Sequence, residues 1–355
     1  MEITKTIEKL FQYIEKNGFP RTESVGLLQS REAYGKFNPS AGHHIVDPVI
    51  ADNEPHELKS FSLLERCLRE TDSSRIGLSN RHLSFFEMWE HTYYGHYEKL
   101  IKKRQEVAEV YYHSLIDILG LNPDNLLVTV MQGCDLDNLH LDSKETQEMY
   151  EIWCGLIGKD KVKRTKGRRN LFLARIPGAA GGTGAEIYYK MINDEYIEIG
   201  SQVEYHFIFR GNMNIHSAIN GCLASALGLE RLLMALENKV SIYDISLIRP
   251  IKDIVVKALN DGVEELYEDN INIIADHIRA ITFIIYEKEK QVRELSSSQE
   301  RILRNYKKNI DSQVNYLGIN ARTYEDMVDC IIDVYRDRYP DLSDKRNKIL
   351  DFLKK

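Results

Sequence analysis

Glu65-Arg66-Cys67-Leu68-Arg69, then Asp72-Ser73-Ser74-Arg75, then Asn80-Arg81-His82-Leu83-Ser84-Phe85-Phe86-Glu87-Met88 follow one another closely. Apolar positions flank a polar, serine-containing stretch, so the pattern predicts two strands joined by a loop. Several arginines and a histidine gather near aromatic rings. Guanidinium groups can hold phosphates through paired hydrogen bonds, and rings and backbone can receive an adenine. A hairpin with surface arginines accounts for the same residues equally well.

Upstream, residues 4–17 carry Ile7, Leu10, Phe11 and Ile14 at helical spacing, with Gly18 and Pro20 as a stop. Residues 21–60 have no clear period and read as loops with short strands. Downstream, 92–119 and 143–157 read as helices, and Leu126-Leu127-Val128-Thr129-Val130 as a buried strand. Ile197-Glu198-Ile199 and Val203–Phe209 read as strands. From Leu223 onward helical patterns dominate: 226–238, 249–260, 270–288, 299–312, 324–338 and 343–354. The expectation is an α+β part over 1–245 and an all-helical part over 246–355.

The chain has 355 residues, 43% hydrophobic and 28% charged, with a formal net charge of −7. That composition excludes wholesale disorder, and 8 prolines and 21 glycines exclude a linker-dominated architecture. No run approaches the ~18 apolar residues of a membrane span. The start, Met1-Glu2-Ile3-Thr4-Lys5, lacks the basic and apolar regions of a secretory leader. Five scattered cysteines with no CxxC pair argue against a disulfide framework or zinc knuckle, and a reducing cytoplasm is expected. The acidic balance disfavours bulk nucleic-acid binding, though the basic segments Lys159–Arg169 and Arg301–Lys308 could meet phosphates locally. Residues 251–355 carry 18 Lys and Arg against 20 Asp and Glu, low for a dedicated RNA-binding domain.

Three further stretches invite chemistry. Gly228-Leu229-Glu230-Arg231 opens a helix with a small residue and presents an arginine in its first turn. Gly178-Ala179-Ala180-Gly181-Gly182-Thr183-Gly184-Ala185-Glu186-Ile187 is neither a dinucleotide fingerprint nor a P-loop, and reads as a small-residue surface loop. Strand alternation puts Glu198 and Glu204 on one face if no bulge intervenes, where carboxylates could hold Mg²⁺.

Taken in order, these pieces resemble the catalytic half of class II aminoacyl-tRNA synthetases, most closely the alanyl type, from about residue 5 to about residue 355. Cys67-Leu68-Arg69 with Arg81–Met88 looks like motif 2, and Gly228-Leu229-Glu230-Arg231 like motif 3. Tyr150-Glu151-Ile152-Trp153, Glu186-Ile187, Tyr196-Ile197-Glu198-Ile199, Ser241-Ile242-Tyr243-Asp244-Ile245 and Ile274-Ala275-Asp276-His277-Ile278-Arg279 match further segments. The resemblance implies an antiparallel sheet flanked by helices, followed by a helical tRNA-recognition domain. It implies that an amino-acid carboxylate attacks the α-phosphate of ATP, and that the acyl group then passes to an acceptor. Arg69 would hold the α-phosphate. Arg231 would lie over the adenine, near the γ-phosphate. Phe85 or Phe86 would stack on adenine, the Met88 backbone would contact its edge, and Arg75 and His82 would assist. Glu198 would lead in holding Mg²⁺, supported by Glu186 and Glu230. Phe172, Gln202, Glu204, His206 and Ala224 would line the amino-acid site.

The departures are specific. A lysine of the motif 2 loop is Ser73 here, with Arg75 as a substitute. The aspartate that pairs the substrate ammonium is Ala224, and a Trp-Asn pair is Gly200-Ser201. These changes imply a larger, differently charged pocket, and either a substrate other than plain alanine or a new acid such as Glu204. Leu295–Arg304 lacks the Asn and much of the basic helix of the tRNA-reading region. A stand-alone relative without the editing domain, and hence without its zinc, is the expectation. Partners would be an amino acid, ATP and tRNA, or another acyl acceptor (a carrier protein, peptide or small molecule). A homodimer is what class II relatives suggest. A catalytically silent regulatory relative is the third reading, against which Arg69, Glu198, Glu230 and Arg231 all stand.

Overall fold

A computed structural model describes residues 3–28, 35–136, 139–141, 146–173, 176–211, 214–259, 264–320 and 322–355. Its elements in chain order are α1 (Ile3–Lys16), α2 (His43–Ala51), β1 (Lys59–Leu68), β2 (Phe85–His96), α3 (Tyr97–Leu100), α4 (Arg104–His113), β3 (Leu126–Leu136), β4 (Leu139–Leu141), α5 (Gln147–Ile157), β5 (Val162–Lys166), β6 (Leu171–Leu173), β7 (Ala180–Lys190), β8 (Tyr196–Gly211), β9 (Asn214–Gly228), α6 (Leu229–Leu236), α7 (Arg249–Lys257), α8 (Glu268–Lys290), α9 (Ser297–Tyr316), α10 (Thr323–Tyr335) and α11 (Arg346–Leu353). The expected helix over 143–157 is α5, its first three residues lying outside the described ones. None of the described helices is long and apolar enough to cross a membrane.

The strands form one sheet in the order β1-β2-β9-β8-β7-β3-β4, with β5 on β3 and β6 on β7. Among the pairs with a described register only β3–β5 is parallel. The fold is therefore the expected α+β arrangement around an antiparallel sheet. Four local expectations are corrected. Residues 43–51 are helical, although Pro48 lies inside α2. The helix expected from residue 92 starts only after β2 ends at His96. The glycine-rich stretch is not a surface loop but the buried start of β7. A Cβ at Gly182 would overlap the carbonyl of Glu204, so β7 and β8 approach closely only because these residues are small. Finally, the helix expected from 226 begins at Leu229; before it, 214–228 is a strand.

The chain divides into two compact units that are discontinuous in sequence. The first takes residues up to Ser24, Ser40–Glu65 and Met88–Asn238; the second takes Val25–Pro39, Arg66–Glu87 and Lys239–Lys355. In the first, helix α1 buries Ile7, Leu10, Phe11 and Ile14, as its spacing requires. One face of the sheet receives α2, whose Val46 and Ile50 pack with Phe61, Leu63, Cys222 and Ala224. The other receives α4 and α5: Tyr111 donates to the carbonyl of Ala226 at 2.7 Å, and Trp153 Nε1 to Gln202 Oε1 at 2.9 Å. The α2 side is the front face and the α4–α5 side the back face.

In the second unit α8 is buried nearly all round. Residues 66–87 are tied to it and its neighbours. Arg66 pairs with Glu287, the Ser84 amide donates to Asp276 Oδ1 at 2.8 Å, and Glu87 accepts from Arg338 at 2.9 Å and from Tyr339. The second unit thus includes two segments that precede its helices, because buried polar groups in those segments find their partners on the helices.

Candidate functional site

Register decides which side chains share a face, since residues opposite one another on neighbouring strands point the same way. Ala224 lies opposite Thr92 on β2 and Val203 on β8. Gly184 lies opposite Val203, Glu186 opposite Ser201 and Tyr188 opposite Glu198. The front face therefore carries Glu90, Thr92, Ala224, Ser201, Val203, Gly184, Glu186 and Glu198. Phe172 on β6 lies opposite Gly182, and its ring covers Gly184, so it joins this face.

Arg231 enters from the first turn of α6, directly after Gly228. Its Nη1 donates to the Glu198 carbonyl at 3.3 Å and to Oε2 at 3.2 Å. Both side chains are partly exposed, so the pair is weak and open to exchange for a ligand. Glu186 accepts from the Tyr188 hydroxyl at 2.7 Å. Burial raises its carboxyl above the usual range, and the nearby charge of Glu198 adds to this. Glu230 in the same turn is buried. Among the described residues no three His, Cys, Asp or Glu side chains form a metal-binding group. Mg²⁺, however, needs only one or two carboxylates when phosphates and waters complete its shell. The hard oxygen donors of Glu186 and Glu198 fit that demand.

Three residues expected to line the amino-acid site do not share a face with Ala224. Strand β8 is bulged at Ile199 and again at His206, which the register skips. The first bulge reverses the parity, so Glu198 faces the front while Gln202 and Glu204 face the back. Gln202 accepts from Trp153. Glu204 accepts from Arg104, Nε to Oε2 at 2.7 Å and Nη2 to Oε1 at 2.6 Å, and from the Tyr97 hydroxyl. Burial alone would raise the Glu204 carboxyl; the Arg104 pair outweighs it and holds the group below its ordinary value. His206 stacks on Tyr97, ring centroids 4.8 Å apart. Gly200 leaves no open space either. It faces the back, and the Tyr111 hydroxyl fills the space its side chain would need.

In the second unit Arg69 donates Nε to the Pro39 carbonyl at 2.9 Å, and its guanidinium lies 4.9 Å from the Phe86 ring centre. Phe85 is fully buried, stacked on Phe283 at 4.2 Å, so of the two rings only Phe86 retains open surface. Arg75 is exposed, with Nη1 3.2 Å from His82 Nε2, and Ser79 Oγ is 2.7 Å from His82 Nδ1. Met88 belongs to the first unit, opposite Gly228, and packs on the front face against the cluster that includes Ala224. The sequence reading missed Arg104 and Tyr97, which bind Glu204, and Glu90, whose place beside Ala224 shows only once β2 and β9 are paired.

Residues 8–355 match the family described as tRNA synthetases class II (A). The chain is 25% identical over 368 residues to the alanine–tRNA ligase of Thermoanaerobacter sp. (strain X514), covering 98% of this chain and 39% of that one. It is 24% identical over 375 residues to the alanine–tRNA ligase of Borrelia hermsii, covering 100% of this chain and 60% of that one. Among solved structures, apo histidyl-tRNA synthetase of S. aureus is similar at 14% identity and a TM-score of 0.41, covering 79% of this chain and 75% of that one.

Proposed function

Because this chain belongs to the class II (A) tRNA synthetases, matching from residue 8 to residue 355, we propose that it activates an amino acid with ATP and passes the acyl group to tRNA. The substrate carboxylate attacks the α-phosphorus, the bond to the bridging oxygen breaks, and pyrophosphate leaves with an aminoacyl-adenylate formed. Such a reaction asks the protein mainly to position reactants and neutralise charge. The observation that carries the proposal is the front-face set of Arg231, Glu198 and Glu186, with a partly exposed ion pair that a triphosphate can displace. Arg231 would meet the nucleotide. Arg69, with Phe86 against its guanidinium, would meet the α-phosphate. Glu186 and Glu198 would hold Mg²⁺, which when bound offsets phosphate charge. Phe172 and Ala224 would line the amino-acid side.

The test is ATP–pyrophosphate exchange across the amino acids. We expect exchange with at least one of them, and a loss of about 10²–10³ in kcat for Arg231→Ala or Arg69→Ala with unchanged melting. Silence with every amino acid would leave a binding-only, regulatory protein. Exchange without transfer to total tRNA would move the acceptor to a carrier protein, peptide or small molecule, the reading favoured by the near-neutral charge of residues 251–355.

A further inference from the structure

Two buried glutamates sit on opposite faces of the same sheet, and their surroundings differ. Glu204 on the back face has a paired arginine and a tyrosine hydroxyl. Glu90 on the front face is 5% exposed, and among the described residues its carboxylate takes one hydrogen bond, from Thr92 Oγ1 at 2.6 Å. An ionised carboxylate offers about four lone-pair sites, so a single neutral donor leaves it short of partners where water is scarce. The nearby ionisable groups on α2 act on it in opposite directions, His43 favouring its charge and Asp47 opposing it. His43 is the basic one, but its Nδ1 is 3.2 Å from Asp47 Oδ1, and Asp47 is itself a buried acid. Gly42, at φ 68°, precedes α2 without a side chain, and a Cβ there would collide with the Glu90 carboxylate. The backbone is shaped around this acid.

Its position is also specific. Glu90 lies opposite Ala226 and Thr92 opposite Ala224, so Glu90 is the diagonal neighbour of position 224 on the same face. Diagonal neighbours are about 7–8 Å apart, within reach of a long side chain. We infer that Glu90 receives the ammonium group of the substrate, reaching it from the strand beside Ala224. This rests on the amino-acid activation proposed above and names its specificity-determining residue. A neutral substrate amine or a carboxylic acid without an amine would leave Glu90 without its counter-charge, so the chemistry selects a cation. Burial, which raises the Glu90 carboxyl, fits a group awaiting its partner.

The experiment uses the amino acid that best supports exchange. Binding of its acyl-sulfamoyl adenosine is compared with that of the desamino analogue by calorimetry, in the full chain and in Glu90→Gln, Glu90→Asp and Glu90→Gln/Ala224→Asp. The expected result is a preference of at least 10-fold for the amine-bearing analogue in the full chain and in Glu90→Asp. That preference should fall to about 1 in Glu90→Gln and return when Asp is placed at 224. Affinity for the desamino analogue should change less than 2-fold. Glu90→Gln keeping the preference, or weakening both analogues equally, overturns the inference and makes Glu90 a prop for α2. If Glu90→Gln does not fold, the double variant decides, since loss of preference there has the same force. Absence of exchange with any amino acid in the unaltered chain would instead defeat the activation itself.

Discussion

Glu204 shows how a single residue can carry a convincing pattern and a different duty. Its charge looked available for a substrate; in the fold Arg104 already holds it in a bidentate pair. Breaking one side of a buried pair leaves an uncompensated charge and costs about 3–5 kcal/mol. Arg104→Ala should therefore lower the urea midpoint strongly, with the slope unchanged. The carboxyl titrates lower in the fold than in the unfolded chain, so its contribution is present above the ordinary carboxylate pKa and lost as pH falls through the folded value. Stability of the unaltered chain should decline in acid below about pH 4, and that part of the decline should be absent in Arg104→Ala. A pH–stability series by urea titration checks both. Glu90, nearly as buried, should respond little to Arg104→Ala, because its neighbours lie on the other face.

At the level of elements, glycine means different things in a strand and a helix. Gly182 in β7 faces the backbone of β8 so closely that a Cβ would overlap Glu204 and Tyr205. Gly182→Ala should cost about 1–3 kcal/mol by overpacking. Gly155 in α5 has open space around it, so Gly155→Ala should gain about 0.5–1 kcal/mol through helix propensity. Denaturation midpoints of the two variants should move in opposite directions. The same contrast explains what could be seen in the sequence. Helices α1, α5 and α9–α11 bury an apolar set at a 3.6-residue period, and that period is local. Strand β9 escaped because Asn214–Gly228 mixes small and polar residues with no clear alternation, and its partners β2 and β8 are supplied by other parts of the chain. The bulges of β8 are equally silent in sequence, since one extra residue in a strand changes no composition.

For the molecule as a whole, two units are built from interleaved stretches of one chain. Residues 66–87 depend on the helices: Phe85 on Phe283, Ser84 on Asp276, Glu87 on Arg338 and Tyr339. A shortened chain ending at residue 238 should expose that segment, leaving buried polar groups without partners. Limited proteolysis should cut the shortened chain within 66–87 at a protease concentration that leaves the full chain intact. Survival of the segment would mean its order does not need the helical unit. The segments of the second unit that precede the helices could not be read from the sequence, because the partnership between Ser84 and Asp276 spans 192 positions.

Residue order alone was enough to identify the family, the antiparallel α+β class and most helices, because these rest on local period and on motifs whose members are close in sequence. That position 224 is an alanine was equally visible. Which face each carboxylate occupies was settled by folding, for a physical reason. A strand's side chains alternate in step, so the bulge at Ile199 reverses the residues from there to the next bulge at His206, and bulges form where neighbouring strands require them. That single reversal sends Glu204 to Arg104 and leaves the front of the sheet to Glu90.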